Sequence, residues 1–193
     1  MLTYYYLAHQ HRWKVNIIMA HKPWGRLNQI AYMVPDLNKA IDWWTAVMGV
    51  GPFFIFPAFE MVRGDYRGKE YFAQYGAAIA FSGDLMVELI EPRGPSIFQE
   101  FLDAGRKGVH HLCAFSDSME DAETWVAEHG GTRLQGAEFA DGSQIAYFAM
   151  DAKENNILEI GVLKPGVQNL FDMIQQAGAN WDGKEKIFSP TDG

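Results

Sequence analysis

Two stretches of the chain repeat one pattern of apolar and polar residues. Residues 27–34 and 109–115 are short, mostly apolar runs, and each predicts a β-strand. After each run comes a residue that favours helix N-caps, Asp36 or Ser118, and then apolar residues at helical spacing. A glycine follows each of these segments and marks the predicted end of the helix. Each stretch is therefore predicted to fold as a strand followed by a helix.

A constant offset relates the two stretches. The matched pairs, 82 positions apart, are Gln29 with His111, Ala40 with Ala122, Trp43 with Trp125 and Gly49 with Gly131. Several β-rich segments follow each predicted helix, and the last of them carries one glutamate, Glu88 or Glu159, among apolar residues. A repeat of this kind predicts two copies of one βαβββ module.

The repeat predicts an α+β fold and divides the chain into five segments. Ser96 and Gln99 have the spacing of a capping box, which predicts a short helix between the modules. Beyond the second module, apolar residues share one face of a further predicted helix, which the body of the protein or a second subunit would cover. The predicted segments are an N-terminal extension (1–26), the first module (27–92), a linker helix (93–108), the second module (109–163), and a C-terminal helix and tail (164–193).

Four polar residues occupy related places in strands that are otherwise apolar. Gln29 and His111 lie in the first strand of each module, and Glu88 and Glu159 lie in the last. A buried carboxylate without a partner is costly, and no Lys or Arg lies in these four predicted strands. A divalent metal ion would satisfy all four side chains at once. The alternative is a water-exposed sheet face on which the glutamates are solvated, but placement by one repeat favours the metal.

Residues near these four have more than one interpretation. Side chains alternate along a strand, so only one of His110 and His111 is expected to face the site, and the repeat selects His111. Cys113 would share that face, either as a pocket wall or as core. The aromatic run 53–59 would line a pocket, form a buried strand or make a dimer contact.

Composition narrows the classes of function. The 193 residues are 48% hydrophobic and 21% charged, which is typical of a folded globular chain. The 16 Lys and Arg against 24 Asp and Glu give a net charge of −8, which disfavours nucleic acid and anionic membranes as partners. The single cysteine precludes an internal disulfide and favours a cytoplasmic location.

Four segments carry recognisable motifs: residues 29–37 (QIAYMVPDL), 49–53 (GVGPF), 108–115 (GVHHLCAF) and 158–160 (LEI). Together they resemble the vicinal oxygen chelate superfamily, which includes glyoxalase I, methylmalonyl-CoA epimerase, extradiol dioxygenases and bleomycin-resistance proteins. The resemblance implies that the two βαβββ modules form a curved mixed sheet around a central metal site. The implied metal ligands are Gln29, Glu88, His111 and Glu159.

The implied ligand set differs among members of this superfamily. Gln29 departs from the usual first ligand, which is His, and the set is similar to that of the eukaryotic type of glyoxalase I. The epimerases have His first and Gln second, and iron dioxygenases require two His and one carboxylate. The set in this chain suits Zn, Mn, Co, Ni or Mg.

The resemblance also implies a function. The protein would be a metal-dependent lyase or isomerase that removes a proton next to a carbonyl of a small-molecule substrate with vicinal oxygens. Glu159 would act as the base, and Glu88 would return the proton on the opposite face. A homodimer is implied as well. Two alternatives stay open: a non-catalytic small-molecule binding protein of the bleomycin-resistance type, and a dioxygenase of the same fold.

Overall fold

The computed structural model describes residues 22–56 and 60–188, where ten strands form one curved mixed sheet. Most of the predicted N-terminal extension therefore lies outside the described residues. Within the described part of the chain, no helix is long and apolar enough to cross a membrane. The strands are β1 (Trp24–Met33), β2 (Phe54–Ile55), β3 (Met61–Tyr66), β4 (Lys69–Glu70), β5 (Tyr75–Ser82), β6 (Leu85–Pro92), β7 (Val109–Ser116), β8 (Thr132–Phe139), β9 (Gln144–Ala149) and β10 (Ile157–Val162).

The strand order confirms the α+β fold of paired βαβββ modules. Across the sheet the order is β2-β5-β6-β1-β7-β10-β9-β8-β3-β4. The first strands of the two modules, β1 and β7, pair antiparallel at the centre, and each pairs in parallel with the last strand of its own module, β6 or β10. The two halves are therefore related by an approximate twofold axis between β1 and β7.

One hairpin departs from the predicted module. The strands β3 and β4 lie between β2 and β5 in the chain, yet β3 pairs with β8 at the far edge of the sheet. Ion pairs fix this crossing: Arg67 binds Glu154 at 2.6 Å, and Arg133 on β8 binds Asp65 at 2.6 Å. The first module thus contributes a hairpin to the edge of the second.

In the described part of the chain, four helices cover the sheet, and their ends follow the predicted capping residues. Asp36 accepts a hydrogen bond from the Lys39 N–H, and Gly49 ends the first helix with a φ of 64°. Ser96 likewise accepts from the Gln99 N–H, but the Gln99 side chain donates to Asp103, so the predicted capping box is only half formed. The helices are α1 (Leu37–Trp43, continued by a π-helical segment, Trp44–Met48), α2 (Ile97–Asp103), α3 (Met119–Glu128) and α4 (Pro165–Ala179).

The C-terminal helix α4 packs on the body of its own chain. Its residue Ile174 is fully buried in a cluster with Phe54, Ile79 and Met86 of the first half. The apolar face of this helix was predicted to pack on the body of the protein or on a second subunit, and the structure shows the first. Farther along, Ile187 forms a β-bridge with Phe53 and ties the tail to the same half.

Candidate metal centre and adjoining cavity

The register of the central strands places two predicted site residues beside one cysteine. Cys113 on β7 pairs with Gln29 on β1 and with Glu159 on β10. Because paired residues on adjacent strands present their side chains to the same face, these three side chains form a row across the sheet. The Gln29 amide nitrogen lies 3.2 Å from Glu159 Oε2.

A second row lies two residues away from the first on β1 and β7, and it extends to β6 instead of β10. Ala31 on β1 pairs with Glu88 on β6 and with His111 on β7. The small Ala31 side chain leaves room between its neighbours, and His111 Nε2 lies 3.4 Å from Glu88 Oε2. The two rows therefore bring all four predicted residues to one point at the centre of the sheet.

Contacts between the two rows complete the cluster. His111 Nε2 lies 3.0 Å from Glu159 Oε2, and the Gln29 amide nitrogen donates to Glu88 Oε2 at 2.7 Å. The site is nearly closed to water, since the side chains of His111, Glu159 and Glu88 are 0%, 7% and 14% exposed. Two carboxylates are thus held together in a poorly hydrated place, which requires a compensating positive charge.

Three of the four residues fit a divalent metal ion. The ligand atoms of Glu88, His111 and Glu159 lie within 4.8 Å of one another. Among the described residues, His111 Nε2 has no hydrogen-bond partner of acceptable geometry although it is fully buried, as expected for a nitrogen with its lone pair kept for a metal. Two oxygens and one imidazole nitrogen are a donor set that such ions accept.

Gln29 is in place but presents its nitrogen. The amide nitrogen points at both carboxylates, whereas a metal ligand has to be the amide oxygen. The two atoms exchange places by rotation of the amide group, and their assignment follows from the hydrogen bonds around them. Gln29 therefore stays a predicted ligand, and the donor set of the structure consists of Glu88, His111 and Glu159.

His110 contradicts the expectation that the two histidines face opposite sides of the strand. Both rings are buried and both contact Phe98 of α2. The cause is a β-bulge: Ala31 pairs with His111 and the next residue on β1 pairs with Val109, so His110 is the extra residue and alternation fails there.

The bulge makes His110 the support of His111. The His110 Nε2 lies 3.3 Å from the Ile97 carbonyl, to which it donates, so the His110 Nδ1 is left as an acceptor. That atom lies 2.9 Å from His111 Nδ1, which must therefore be the donor of this pair. The chain of hydrogen bonds directs His111 Nε2 towards the carboxylates, a common way of orienting a metal-ligating histidine.

The two histidines have opposite pKa shifts. Burial alone would lower the pKa of His111, but the carboxylates of Glu159 and Glu88 outweigh it and raise the pKa to about 9. Burial, with the charge of His111, lowers the pKa of His110 to about 3. Burial also raises the pKa of Glu88. In the metal-free protein near pH 7, His111 thus carries the positive charge that the carboxylates require, while His110 stays neutral.

A cavity of about 370 Å³ adjoins this cluster. Gln29, Glu88 and Glu159 line it, and so does Cys113, which settles the choice between pocket wall and core: the thiol is both buried and part of the wall. In the aromatic run, Phe56 lines the cavity, while residues 57–59 lie outside the described part of the chain.

The wall also contains residues that sequence reasoning missed. Tyr147 on β9 pairs with Glu159 and lines the cavity, and burial raises the pKa of its hydroxyl. The sequence offers one sign of this role: Tyr147 lies in an apolar predicted strand that directly precedes the strand of Glu159. Phe171 of α4 closes the same wall from the tail.

Comparison with known proteins decides the family. A sequence profile of the Glyoxalase/Bleomycin resistance protein/Dioxygenase superfamily matches residues 28–147. The chain belongs to this superfamily. A search of curated protein sequences found no match.

Solved structures show the same superfamily fold. Methylmalonyl-CoA epimerase from Mycobacterium tuberculosis has 16% identity and a TM-score of 0.53, over 79% of this chain and 97% of its own. A hypothetical protein, BH1468 from Bacillus halodurans C-125, has 18% identity and a TM-score of 0.52, over 72% of this chain and 94% of its own. At such low identity the likeness establishes the fold, and the activity has to be argued from the site.

Proposed function

We propose that this protein is a metal-dependent lyase or isomerase that removes a proton next to the carbonyl of a substrate with two vicinal oxygens. One observation carries the proposal: two largely buried carboxylates and one buried imidazole converge beside a cavity of about 370 Å³. Membership of the superfamily and the fold shared with an epimerase favour the same chemistry.

A divalent ion held by Glu88, His111 and Glu159 would polarise the substrate carbonyl and make the neighbouring C–H more acidic. Zn, Mn, Co, Ni and Mg all suit this donor set, with Gln29 proposed as a fourth ligand through its amide oxygen. The role of His111 is to offer Nε2 in a fixed direction, which His110 and the Ile97 carbonyl set from behind.

The two glutamates are proposed to move the proton. Glu159 on β10 and Glu88 on β6 stand on opposite sides of the central pair β1 and β7, and both line the cavity. We assign Glu159 as the base and Glu88 as the group that returns the proton on the other face. The small exposure of both side chains limits the access of water to the reacting carbon.

The test combines metal analysis with a screen for proton exchange. Protein purified without added metal is analysed for bound ions, and 2-oxo, 2-hydroxy and CoA-thioester compounds are incubated with it in deuterated water. The proposal expects about one divalent ion per chain and exchange of the proton next to a carbonyl, lost after treatment with EDTA. Ligand binding without exchange would instead establish a binding protein, and iron-dependent oxygen uptake would establish a dioxygenase.

We propose further that the protein acts as a homodimer in the cytoplasm. On the central strands, Leu27 and Leu112 are 50% and 38% exposed, an uncovered apolar surface that a second copy would bury. Light scattering is expected to give twice the 21.8 kDa mass of the chain. A mass of one chain at micromolar concentration would contradict the dimer.

A further inference from the structure

The wall of the cavity is mainly apolar and contains many aromatic side chains. Away from the carboxylates, most of the wall consists of carbon, and the polar groups are few. Such a wall gains free energy by covering apolar ligand surface, and flat rings favour flat ligands. The seven aromatic side chains are Phe56, Phe72, Tyr75, Phe115, Phe139, Tyr147 and Phe171.

The charge of the wall is entirely negative. Among the described residues that line the cavity, the charged ones are Glu88, Glu159 and Asp141, and no Lys, Arg or His is present. A divalent ion would offset the first two and leave Asp141, which accepts hydrogen bonds from the Ser143 N–H and hydroxyl. The wall therefore offers an anionic ligand no cation with which to pair.

Lys164 is a cation near this region, and it does not line the cavity. Its side chain passes over Gly142 on the outside and is exposed to solvent. A phosphate reaching this lysine would lie in water, where an ion pair contributes little. Replacement of this lysine therefore serves as a control for the effect of charge outside the cavity on ligand binding.

Part of the wall comes from beyond the segment that defines the superfamily. The family profile ends at residue 147, whereas Leu163, Val167 and Phe171 line the cavity from the end of β10 and from α4. Burial of Ile174 anchors α4 in this position. Residues outside the profile match thus supply an apolar part of the wall.

We infer that the ligand of this cavity is an uncharged, mainly aromatic small molecule, and that CoA thioesters are rejected. Its orientation, with an oxygen pair towards Glu88 and Glu159 and its ring among the phenylalanines, rests on the proposed function. Its class rests on the wall alone: seven aromatic rings, three acidic groups and no lining cation.

Calorimetric titration with four defined probes tests this inference. The probes are 2-hydroxyacetophenone, its para-carboxylate, hydroxyacetone and methylmalonyl-CoA, each titrated into metal-loaded and into EDTA-treated protein. The first three share one oxygen pair and differ in the ring or in charge at its far end. Removal of the ring is expected to weaken binding by at least about tenfold, because a buried ring provides much of the affinity. The para-carboxylate and the thioester are expected to bind more weakly than 2-hydroxyacetophenone.

Two variants show whether the wall is responsible. Phe171→Ala should weaken the binding of 2-hydroxyacetophenone and leave the binding of hydroxyacetone unchanged. The matched control is Met173→Ala, on the exposed side of α4. Val167→Lys, in the partly exposed first turn of α4, places a cation in the wall and should improve binding of the para-carboxylate. This second variant keeps the test decisive if Phe171→Ala does not fold. Lys164→Ala should change none of the affinities.

The outcomes separate this inference from the proposed function. Binding of 2-hydroxyacetophenone with the expected preference, but without proton exchange by any compound, would support the inference and overturn the proposed function. Exchange seen only with CoA thioesters would support the proposed function and overturn the inference. Equal or tighter binding of the para-carboxylate or methylmalonyl-CoA would overturn the inference in either case.

Discussion

The two halves of the sheet follow the same path but surround their glutamates differently. Glu88 on β6 has Ala31 and Ile79 as its partners on the neighbouring strands. Glu159 on β10, its counterpart, has Cys113 and Tyr147. One carboxylate is therefore flanked by aliphatic groups, and the other by a thiol and a phenol.

The first strands of the two modules, β1 and β7, also carry different residues at matching places. Gln29 on β1 offers a neutral amide, whereas His111 on β7 offers an imidazole with a second histidine behind it. The approximate twofold axis thus fixes where four side chains meet, while the residues at those places would make the second half the stronger donor of metal ligands. The repeat of the backbone does not imply equal roles for its two copies.

Replacement of the two first-strand residues tests this asymmetry with the largest expected effect. His111→Ala removes the one nitrogen ligand and leaves two carboxylates facing each other. Metal affinity should fall by more than about a hundredfold, beyond the usual effect of losing a residue that only supports a ligand. Gln29→Ala should cost less than about tenfold, since a neutral amide is a weak ligand. Competition with a chromophoric chelator measures both affinities. Equal losses would contradict the asymmetry.

Removal of the support behind His111 should have the next largest effect. His110→Phe keeps a ring against Phe98 but removes the acceptor for His111 Nδ1. Metal affinity, measured by competition with the same chelator, should fall about 10–100-fold.

Two further variants serve as controls for this effect. His110→Asn keeps an acceptor and should recover part of the affinity. His129→Phe, at the exposed end of α3, should leave the affinity unchanged. An unchanged metal affinity in His110→Phe would show that the bulge has no role in orienting His111.

The pH dependence of metal binding probes the same ligand, His111. Near pH 7 the metal-free protein holds a proton on His111, whose pKa is raised to about 9, and the metal must expel it. The affinity should therefore rise about tenfold for each pH unit up to about pH 9 and then level off. Titration of metal into protein at pH 7, 8 and 9 measures this slope. A flat profile would contradict the ligand role of His111, and His111→Gln should abolish the slope.

A change in the first half should have the smallest effect. Gln29→Glu adds a third carboxylate to the site, which should hold the ion at least as tightly but make it a weaker Lewis acid. Turnover should fall by less than it does in Glu159→Gln, which lacks the proposed base, and the metal content should be maintained. Metal analysis and exchange rates on the same sample check both parts. Loss of metal from Gln29→Glu would contradict the ligand role proposed for Gln29.

Residues with periodic neighbours could be predicted from the sequence. Gln29, Glu88, His111 and Glu159 stand out because each interrupts an apolar strand at a place that the repeat defines, and the structure brings all four together. The helix caps Asp36 and Ser118 were predictable for a local reason, since a cap needs only the next three residues.

Long-range pairings and irregular backbone could not be predicted in this way. The bulge at His110 depends on the register between β1 and β7, and alternation assumes that no residue is extra. The crossing of β3 to β8 joins segments about seventy residues apart, which no local pattern encodes. The cavity wall depends on where α4 packs. Its amphipathic sequence alone does not distinguish packing on its own chain from packing on a partner subunit.

The rate of proton exchange in a metal-bearing Glu159 variant shows whether Glu159 is the base. Glu159→Gln keeps the shape and one oxygen donor but cannot accept a proton, and Glu128→Gln on exposed α3 is the matched control. Proton NMR in deuterated water follows the carbon next to the carbonyl, and metal is quantified in each sample. We expect the control to exchange at the parent rate and Glu159→Gln to retain part of its metal while exchange slows about a hundredfold or more. Exchange at the parent rate in metal-bearing Glu159→Gln would contradict the role of Glu159 as base and make Glu88 the base.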